Sequence, residues 1–424
     1  MMILLWSSRQ SLLDPSILSV MILSYYGKEM TKSHTLQLQT FVDKYFNKSE
    51  KKSFKFSQMQ KIFVNNFHQL IMNAHFAYFN DKTITDNVPY QPCKNMNGIP
   101  QEFRQTITEN LGPHRVFAFK CGNRNIRTTF YAEKCKTYAL DNYIKYVYIW
   151  LHIACQFAPK SCASTIHNHI FLTNLSKKRP SSQTIPFNQT HANTAFTHSC
   201  VANPEIVIYR SEEWFKVFIH ETFHTLGLDF STLNRMDAAN QQIDKIFNLR
   251  PNNRDYRLYE SYTETWADII HVCMVVHFNL IQQKHFEYNY VENVESLLRQ
   301  EITFSMIQCT KVLHHNHLKY IQLLNGQDNT YRENTNIMSY YIVRCILLFH
   351  ANEFIYWTMM QNHHSIEFKK NEQNVLQYVG LIEKCSRDQT FINSMMQIEE
   401  QYKVMESRDK TSYGATTMRM TMIE

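Results

Sequence analysis

The sequence has few of the features that mark several common classes of protein. Only 8 of its 424 residues are glycines, and it contains no P-loop, dinucleotide-binding fingerprint or serine-nucleophile motif. No two cysteines have the C-x-x-C spacing, which argues against a zinc ribbon or a thioredoxin-like site. No apolar run reaches the ~20 residues needed to span a bilayer, so we expect no clear membrane span.

The charge of the chain is also not concentrated at any point. The net charge is +7, and the densest basic runs, within residues 48–55 and 177–179, are short and accompany no nucleic-acid motif. We therefore expect no nucleic-acid partner. Hydrophobic residues make up 44% and aromatic residues 13% of the chain, which is typical of a folded protein with a large core.

Ten cysteines are present, and their surroundings differ. Cys273 and Cys345 lie in apolar helical stretches and are interpreted as core thiols. Four others lie in loop-like surroundings and could pair in an oxidising compartment: Cys93, Cys121, Cys135 and Cys200. The compartment itself is not determined by the sequence, and neither is the oligomeric state.

The chain divides into five regions by composition and periodicity. Residues 1–29 are apolar but interrupted, which fits an anchor, a weak export signal or an upstream extension. Residues 30–113 are predicted to form a separate region of helices and loops. Residues 114–230 contain the predicted strands and one central helix, and residues 231–405 are predicted to be a helical subdomain. The polar residues 406–424 are predicted to be a mobile tail.

Two periodicities place the secondary structure. Short β-branched or aromatic runs predict strands at Arg115–Lys120, Thr128–Tyr131, Thr165–Thr173 and Glu205–Tyr209. Apolar residues at helical spacing predict helices at Glu212–Leu226, Leu258–Leu280, Val291–Leu313 and Asn336–Met359. Together these patterns predict an α+β fold.

The central motif is H-E-x-x-H, formed by His220, Glu221 and His224. Positions i and i+4 share one face of a helix, so both imidazoles can reach one metal ion. Glu221 is then placed to take a proton from water that zinc has made acidic. The motif alone arises by chance in roughly one such sequence in twenty, but here it lies on a predicted helix directly after a predicted strand.

A third metal ligand is expected from the next long helix. Glu264 begins the pattern E-x-x-A-D, in which Ala267 allows close helix packing and Asp268 could orient a histidine ligand. We therefore predict Glu264 as the third ligand and Asp268 as its supporting residue. Glu260, one turn earlier, is the alternative ligand.

H-E-x-x-H followed on a second helix by E-x-x-A-D resembles the gluzincin class of zinc metallopeptidases. The resemblance covers about residues 165–350. It implies a zincin-like catalytic core, with a mixed twisted sheet, an active-site helix and a helical lower subdomain. It further implies one zinc ion per chain, bound by His220, His224 and Glu264, with Glu221 as general base and proteins or peptides as substrates.

The stretches HTLGLDF and SYTETWAD also resemble uncharacterised metallopeptidase-like proteins of large DNA viruses. That likeness implies a virion or infected-cell compartment. An alternative function follows as well, that of an inactive zinc-binding structural or virion-associated protein.

Two further expectations concern catalysis. Tyr341 and Arg344 share a helix face, and gluzincins often use such residues to stabilise the oxyanion, so both are predicted as catalytic. The metzincin class needs a third histidine where Phe230 stands, with Asp229 one position early, and is the less favoured alternative.

Two weaker patterns precede the motif. His167 and His169 alternate on a strand and so face one side of it; we interpret them as packing or surface histidines, with a second metal site as the alternative. Residues 193–200 are interpreted as a loop, with a substrate-binding strand as the alternative.

Overall fold

The structure is a computed structural model that describes residues 31–46, 54–86, 88–132, 139–234, 236–249, 255–282, 289–326 and 330–424. The apolar segment 1–29 and Cys135 therefore lie outside the described residues. Within the described part of the chain, none of the helices combines the length and the apolar character that crossing a membrane would require.

A mixed six-stranded sheet has the order β1-β2-β3-β4-β6-β5. Its strands are β1 (Thr85–Asp86), β2 (Pro113–Cys121), β3 (Arg124–Tyr131), β4 (Thr165–Phe171), β5 (Ala195–Phe196) and β6 (Glu205–Ile208). The pairings β3–β4 and β4–β6 are parallel, and the other three are antiparallel. All four predicted strands and the α+β class are confirmed.

Alternation along β4 and β6 gives the sheet two covered faces. Ile166, Ile170, Ile206 and Ile208 belong to the main core, on the helical side. Val207 belongs instead to a smaller cluster with Ile99 and Ile107 from the segment 88–111. That segment therefore covers the second face of the sheet.

The helices before and beside the sheet are α1 (Thr31–Phe46), α2 (Gln58–Asn80), α3 (Gln101–Asn110), α4 (Leu140–Phe157), α5 (Gln189–Ala192) and α6 (Trp214–Thr225). Every residue of α6 is buried, because the helix packs between β6, α4 and α8. This explains why its sequence is apolar on most faces.

The later helices are α7 (Asp237–Ile246), α8 (Leu258–Gln282), α9 (Tyr290–His315), α10 (Tyr320–Asn325), α11 (Arg344–Phe349), α12 (Ala351–Gln361), α13 (Glu372–Ser386), α14 (Gln389–Arg408) and α15 (Tyr413–Thr416). A π-helical turn, Met338–Val343, precedes α11. The predicted helix Asn336–Met359 is thus divided, with a break at His350 between α11 and α12.

The N-terminal helices are not the separate region that the sequence predicts. Leu38 in α1 and Ile71 in α2 belong to the same buried cluster as the sheet and the later helices. Helix α2 packs against α4 and α8. The predicted boundary at residue 113 also falls at the start of β2, inside the sheet. Residues 31–113 therefore complete the core.

The C-terminal segment, residues 417–424, is packed into the core, so the prediction of a mobile tail is wrong for these residues. Met418, Met420 and Met422 are at most 3% exposed, and Arg419 between them is buried and pairs with Glu424. Glu301 accepts hydrogen bonds from the backbone N–H groups of residues 422 and 423. The period-2 alternation of methionines was the signal for a buried extended segment, and the polar residues between them obscured it.

Cys162 and Cys200 form a disulfide. Cys200 is one of the four cysteines that could pair on the sequence evidence, and Cys162 is not among those four. Cys93 and Cys121 have free thiols, and Cys273 and Cys345 are buried free thiols, as predicted. The disulfide ties the turn before β4 to the segment between β5 and β6.

Candidate metal centre and cleft

Helix α6 presents the two histidines of the motif on one face. The Nε2 atoms of His220 and His224 are 3.0 Å apart, because residues four apart on a helix lie one above the other. Both side chains are buried at the base of a cleft, and they meet there a carboxylate from α8.

That carboxylate belongs to Glu260. Its Oε2 lies 3.1 Å from His220 Nε2 and 3.2 Å from His224 Nε2. The three donor atoms thus form a nearly equilateral triangle, and His220, His224 and Glu260 can together hold a metal ion. The structure therefore favours the alternative ligand over Glu264, which the sequence analysis had preferred.

Glu264 lies one turn further along α8 and is engaged elsewhere. Its Oε2 contacts Lys216 Nζ, and its Oε1 lies 3.0 Å from His220 Nδ1. The alignment of that second contact falls short of a hydrogen bond. Glu264 thus lies behind His220, on the side away from the converging Nε2 atoms, where it can hold the imidazole in place.

The triangle fits a tetrahedral ion. Metal–ligand distances of ~2.0–2.1 Å place the ligand atoms of a zinc tetrahedron about 3.4 Å apart. The observed separations of 3.0–3.2 Å are a few tenths shorter, so a small outward shift of the side chains would admit the ion. Two imidazoles and one carboxylate also leave the fourth position free on the cleft side.

The charges at this site depend on burial and on close carboxylates. Burial lowers the pKa of His220 to about 4. Burial would lower the pKa of His224 too, but Asp229 and Glu260 outweigh it and raise that pKa well above its ordinary value. The two carboxylates therefore favour a positive charge at this point. Since a metal cation would bring the same positive charge, the pair of carboxylates favours it as well.

Asp229 supports His224 at this site, and this role was not predicted from the sequence. Its Oδ2 contacts His224 Nδ1, and its Oδ1 accepts hydrogen bonds from the backbone N–H and side-chain hydroxyl of Ser231. A carboxylate on Nδ1 fixes the ring so that Nε2 faces the metal position. The H-E-x-x-H-x-x-G-x-D spacing contains the signal for this role, because the aspartate follows the second histidine by five residues, just after the helix ends.

The metzincin alternative finds no support in the structure. Phe230, which stands where the third histidine would be, is fully buried and packs against Phe368 and Tyr259. Gly227 ends helix α6 with a φ of 64°. Gly227 therefore serves to end the helix and to leave room for the disulfide beside it.

Glu221 lines the cleft next to the metal position. Burial raises the pKa of its carboxyl group to about 8, and the neighbouring carboxylate of Glu260 adds to this effect. An acid group with a pKa near neutrality is suited to accept and return a proton.

The cleft has a volume of about 500 Å³ and is lined mostly by polar groups. The edge strand β5, the face of α6 that bears His220, the start of α8 and the segment before the π-helical turn all contribute to its walls. Its lining residues include Phe196, Thr197, His220, Glu260, Asn336 and Tyr340. Strand β5 ends the sheet, so the described strands pair with it on one side alone.

Comparison of the chain with protein-family models, with curated proteins and with solved structures found no match. The chemistry of the cleft must therefore be inferred from its own residues.

Tyr341 and Arg344 lie away from the cleft, contrary to the prediction that they are catalytic. The hydroxyl of Tyr341 donates to the backbone oxygen of Met418. Arg344 is fully buried, and its guanidinium pairs with Asp268 and donates to the backbone oxygen of Met420. Both residues do share a face, but that face holds the C-terminal segment.

Asp268 consequently does not orient a histidine ligand. It lies in a buried ion pair with Arg344 and is 3.8 Å from Lys216 Nζ. Its role is to balance buried cations beneath the metal centre rather than to contact His220 or His224.

The π-helical turn places the neighbouring Tyr340 in the cleft instead. Its hydroxyl accepts from Asn336 Nδ2 at 3.3 Å, and the same amide lies 3.4 Å from Glu260 Oε1. A π-helical turn adds one residue to a helical turn and often occurs at functional sites. Within this turn Tyr340 lines the cleft, whereas the hydroxyl of Tyr341 donates to Met418 in the core.

Proposed function

We propose that this chain is a zinc-dependent peptidase that hydrolyses peptide bonds in proteins or peptides. The observation that carries the proposal is the convergence of His220, His224 and Glu260 on one point of a cleft that Glu221 also lines. Two imidazoles, one carboxylate and an open fourth position are the usual protein ligands of a catalytic zinc.

The arrangement of elements around the site supports a zincin-like core. Helix α6 packs against β6 of the mixed sheet, and α8 supplies the third ligand. The edge strand β5 is antiparallel to β6 and lines the cleft. An extended peptide could add to this edge by backbone hydrogen bonds, so we assign residues 195–197 to substrate binding.

A bound zinc ion would supply the activation of water and the polarisation of the scissile carbonyl group. Glu221 accepts the proton of the attacking water and later returns it to the leaving amine. Asp229 and Glu264 hold the two imidazole rings in position. Tyr340 donates its hydroxyl proton in a hydrogen bond to the oxyanion, in place of the predicted Tyr341 and Arg344.

Charged groups around the cleft bear on the substrate. Asp255, Arg257 and Glu333 all line the cleft. These are two carboxylates against one guanidinium, so the balance of the three charges is acidic. We therefore expect peptides with a neutral or basic character near the cleaved bond to be preferred.

The proposal is tested by metal analysis and a peptide-library cleavage assay on wild type and Glu221→Gln. We expect about one zinc ion at this centre in both proteins, and cleavage by the wild type alone. The substitution keeps the shape of the side chain but removes its ability to accept a proton, so kcat should fall by at least about 10³-fold.

Zinc at this centre without cleavage of any peptide would support the alternative of a structural or virion-associated zinc protein. A wild type that binds no zinc here would overturn the proposal.

A further inference from the structure

A second group of side chains that could hold a metal ion lies on the opposite face of the sheet from α6. It consists of Cys93 from the covering segment, His169 on β4 and Glu205 on β6. His169 and Glu205 project from neighbouring parallel strands, with His169 two residues beyond the Cα partner of Glu205. The alternation of β4 and β6 sends both side chains to the face that residues 88–111 cover.

The donor atoms of this group already lie close to tetrahedral spacing. Glu205 Oε1 is 3.6 Å from His169 Nε2, and Glu205 Oε2 is 3.8 Å from Cys93 Sγ. All three donors lie within 4.8 Å of one another. A zinc ion with one sulfur, one nitrogen and one oxygen ligand needs separations of about 3.4–3.6 Å. The two contacts of Glu205 would need to shorten by at most a few tenths of an ångström. The separation between the donor atoms of Cys93 and His169, which is within 4.8 Å, would need to shorten by at most about 1.2 Å.

His169 provides an independent indication of a ligand. The side chain is 1% exposed, and its Nδ1 is held by the hydroxyl of Tyr131 at 3.0 Å. Its Nε2 is buried and has no hydrogen-bond partner, although it faces Glu205. A buried polar atom without a partner costs about 1–3 kcal/mol, and a metal ion at this point would remove that cost.

The remaining contacts fix the carboxylate. Glu205 Oε2 accepts hydrogen bonds from the backbone N–H of Asn95 at 3.0 Å and from its side-chain amide at 2.8 Å. The backbone N–H of Lys94 lies 3.1 Å from each oxygen. Oε1 is therefore the less engaged oxygen, and it is the one nearer to His169.

We propose that Cys93, His169 and Glu205 form a second metal site that binds zinc or a similar divalent ion. Cys93 would bind as the thiolate, its proton passing to solvent, and the fourth ligand would be water. A thiolate with an imidazole selects zinc over magnesium or calcium, which prefer oxygen ligands alone. The site is distinct from the cleft, because β4 and β6 separate it from α6.

The site would fasten the covering segment to the sheet and so shape one wall of the cleft. Gly98, five residues after Cys93, packs so closely on the ring of Phe196 that a Cβ atom there would collide with it. Both residues line the cleft, and Phe196 lies in the edge strand β5. Metal at Cys93 would therefore order the strand that we assign to substrate binding.

The two sites differ in one ligand type, and this makes them separable by experiment. The site in the cleft has no sulfur ligand, whereas Cys93 contributes one. Cobalt bound to a thiolate gives a near-ultraviolet charge-transfer band that cobalt bound to imidazole and carboxylate lacks. The full-length chain is loaded with cobalt and, separately, with zinc, and both spectrum and metal content are measured.

We expect the wild type to show the thiolate band and about two zinc ions per chain. Cys93→Ser should lose the band and about one of the two ions. His224→Ala should keep the band and lose the ion in the cleft, so failure of the peptidase proposal leaves this test intact. Cys155→Ser, which removes another half-buried thiol, should behave as the wild type.

His169→Gln provides a second route should Cys93→Ser fold poorly, and circular dichroism verifies the fold of each variant. The band should be lost in His169→Gln as well, or its affinity for cobalt should fall by 10-fold or more. A folded wild type without the thiolate band would overturn the proposal, and so would a band that persists in Cys93→Ser.

Discussion

At the scale of single residues, the spacing of the motif did not identify which carboxylate meets the two histidines. Glu264 was predicted as the third ligand, but Glu260 lies beside both Nε2 atoms. Both carboxylates lie on the same face of α8, one turn apart, and either can approach the histidines. The residues behind Glu264 suggested that it was the ligand, but Asp268 pairs with Arg344. The decisive neighbour is Lys216, which contacts Glu264 and belongs to a different helix.

The first prediction separates these two carboxylates. Glu260→Gln should weaken zinc binding by at least about 100-fold, because a direct ligand is lost, whereas Glu264→Gln should weaken it by about 10-fold. Glu264→Gln should also lower the free energy of unfolding by about 3 kcal/mol, since Lys216 loses a buried partner. Zinc titration and urea unfolding measure the two effects; a larger loss of affinity in Glu264→Gln would restore Glu264 as the ligand.

A second prediction compares neighbouring tyrosines. Tyr340→Phe should lower kcat by about 10²-fold with little change in zinc content, because the oxyanion of the proposed mechanism would lose a donor. Tyr341→Phe should leave kcat unchanged and reduce the free energy of unfolding by about 1 kcal/mol, because its hydroxyl donates to Met418 in the core. Equal effects on kcat would contradict the assignment.

A third prediction concerns Gly227 at the end of α6. Its φ is 64°, and a Cβ atom would lie 2.9 Å from the sulfur of Cys162. Gly227→Ala should therefore lower the free energy of unfolding by about 1–3 kcal/mol, partly from the left-handed backbone and partly from the collision. Urea unfolding measures this change, and a neutral substitution would show that the disulfide does not pack there.

At the scale of helices and strands, periodicity predicted most of the elements. The β-branched runs gave four strands, and α6, α8 and α9 follow their apolar patterns. The pattern did not reveal the π-helical turn Met338–Val343. Tyr341 was predicted because it shares a helix face with Arg344, and that spacing does not show which of the two tyrosines lines the cleft.

Helices α2 and α8 meet at a chain of three histidines that the sequence did not indicate. His277 Nδ1 lies 3.2 Å from His68 Nε2, and His277 Nε2 lies 2.9 Å from His75 Nδ1. Burial lowers the pKa of His277 to about 3 and those of the other two to about 4. Lys145 nearby disfavours a further positive charge on His75 and His277.

A fourth prediction follows for the pH dependence of stability. Between about pH 6.5 and pH 4 the unfolded chain binds protons at these histidines and the folded chain does not, so stability falls with falling pH. His277 alone should contribute about 2 kcal/mol between pH 7.5 and pH 5. His277→Gln should reduce this slope in urea unfolding, and His363→Asn, at an exposed position, should not; identical slopes would contradict the histidine chain.

At the scale of the whole molecule, the predicted division into separate regions differs most from the structure, because α1 and α2 share one core with the later helices. Composition places boundaries where breakers and polar residues occur, but it does not show which faces pack together. The core joins α1 and α2 to α8 and to the C-terminal segment. Local patterns were sufficient to predict the fold class. The packing of α1 and α2 into the shared core depends on contacts between residues far apart in the sequence, which local patterns do not show.

A fifth prediction tests the burial of the C-terminal segment. Met420 is 3% exposed and Met396 on α14 is 50% exposed. Met420→Ala should cost about 2–5 kcal/mol of unfolding free energy, because it leaves a cavity beneath α6. Met396→Ala should cost less than about 0.5 kcal/mol. Thermal or urea unfolding measures both losses. Equal and small losses of unfolding free energy in the two variants would support a mobile tail instead.

The burial of this segment also constrains how the protein can be made. Glu213, which directly precedes helix α6, accepts hydrogen bonds from the backbone N–H groups of Met420 and Thr421, and it is separated from Thr421 by 208 positions. At ribosomal speeds of about 5–20 residues per second, roughly 10–40 s pass before these donors exist. During that interval the helix that bears His220 and Glu221 lacks its support. The packing around the candidate metal centre is therefore completed only after translation has passed residue 421.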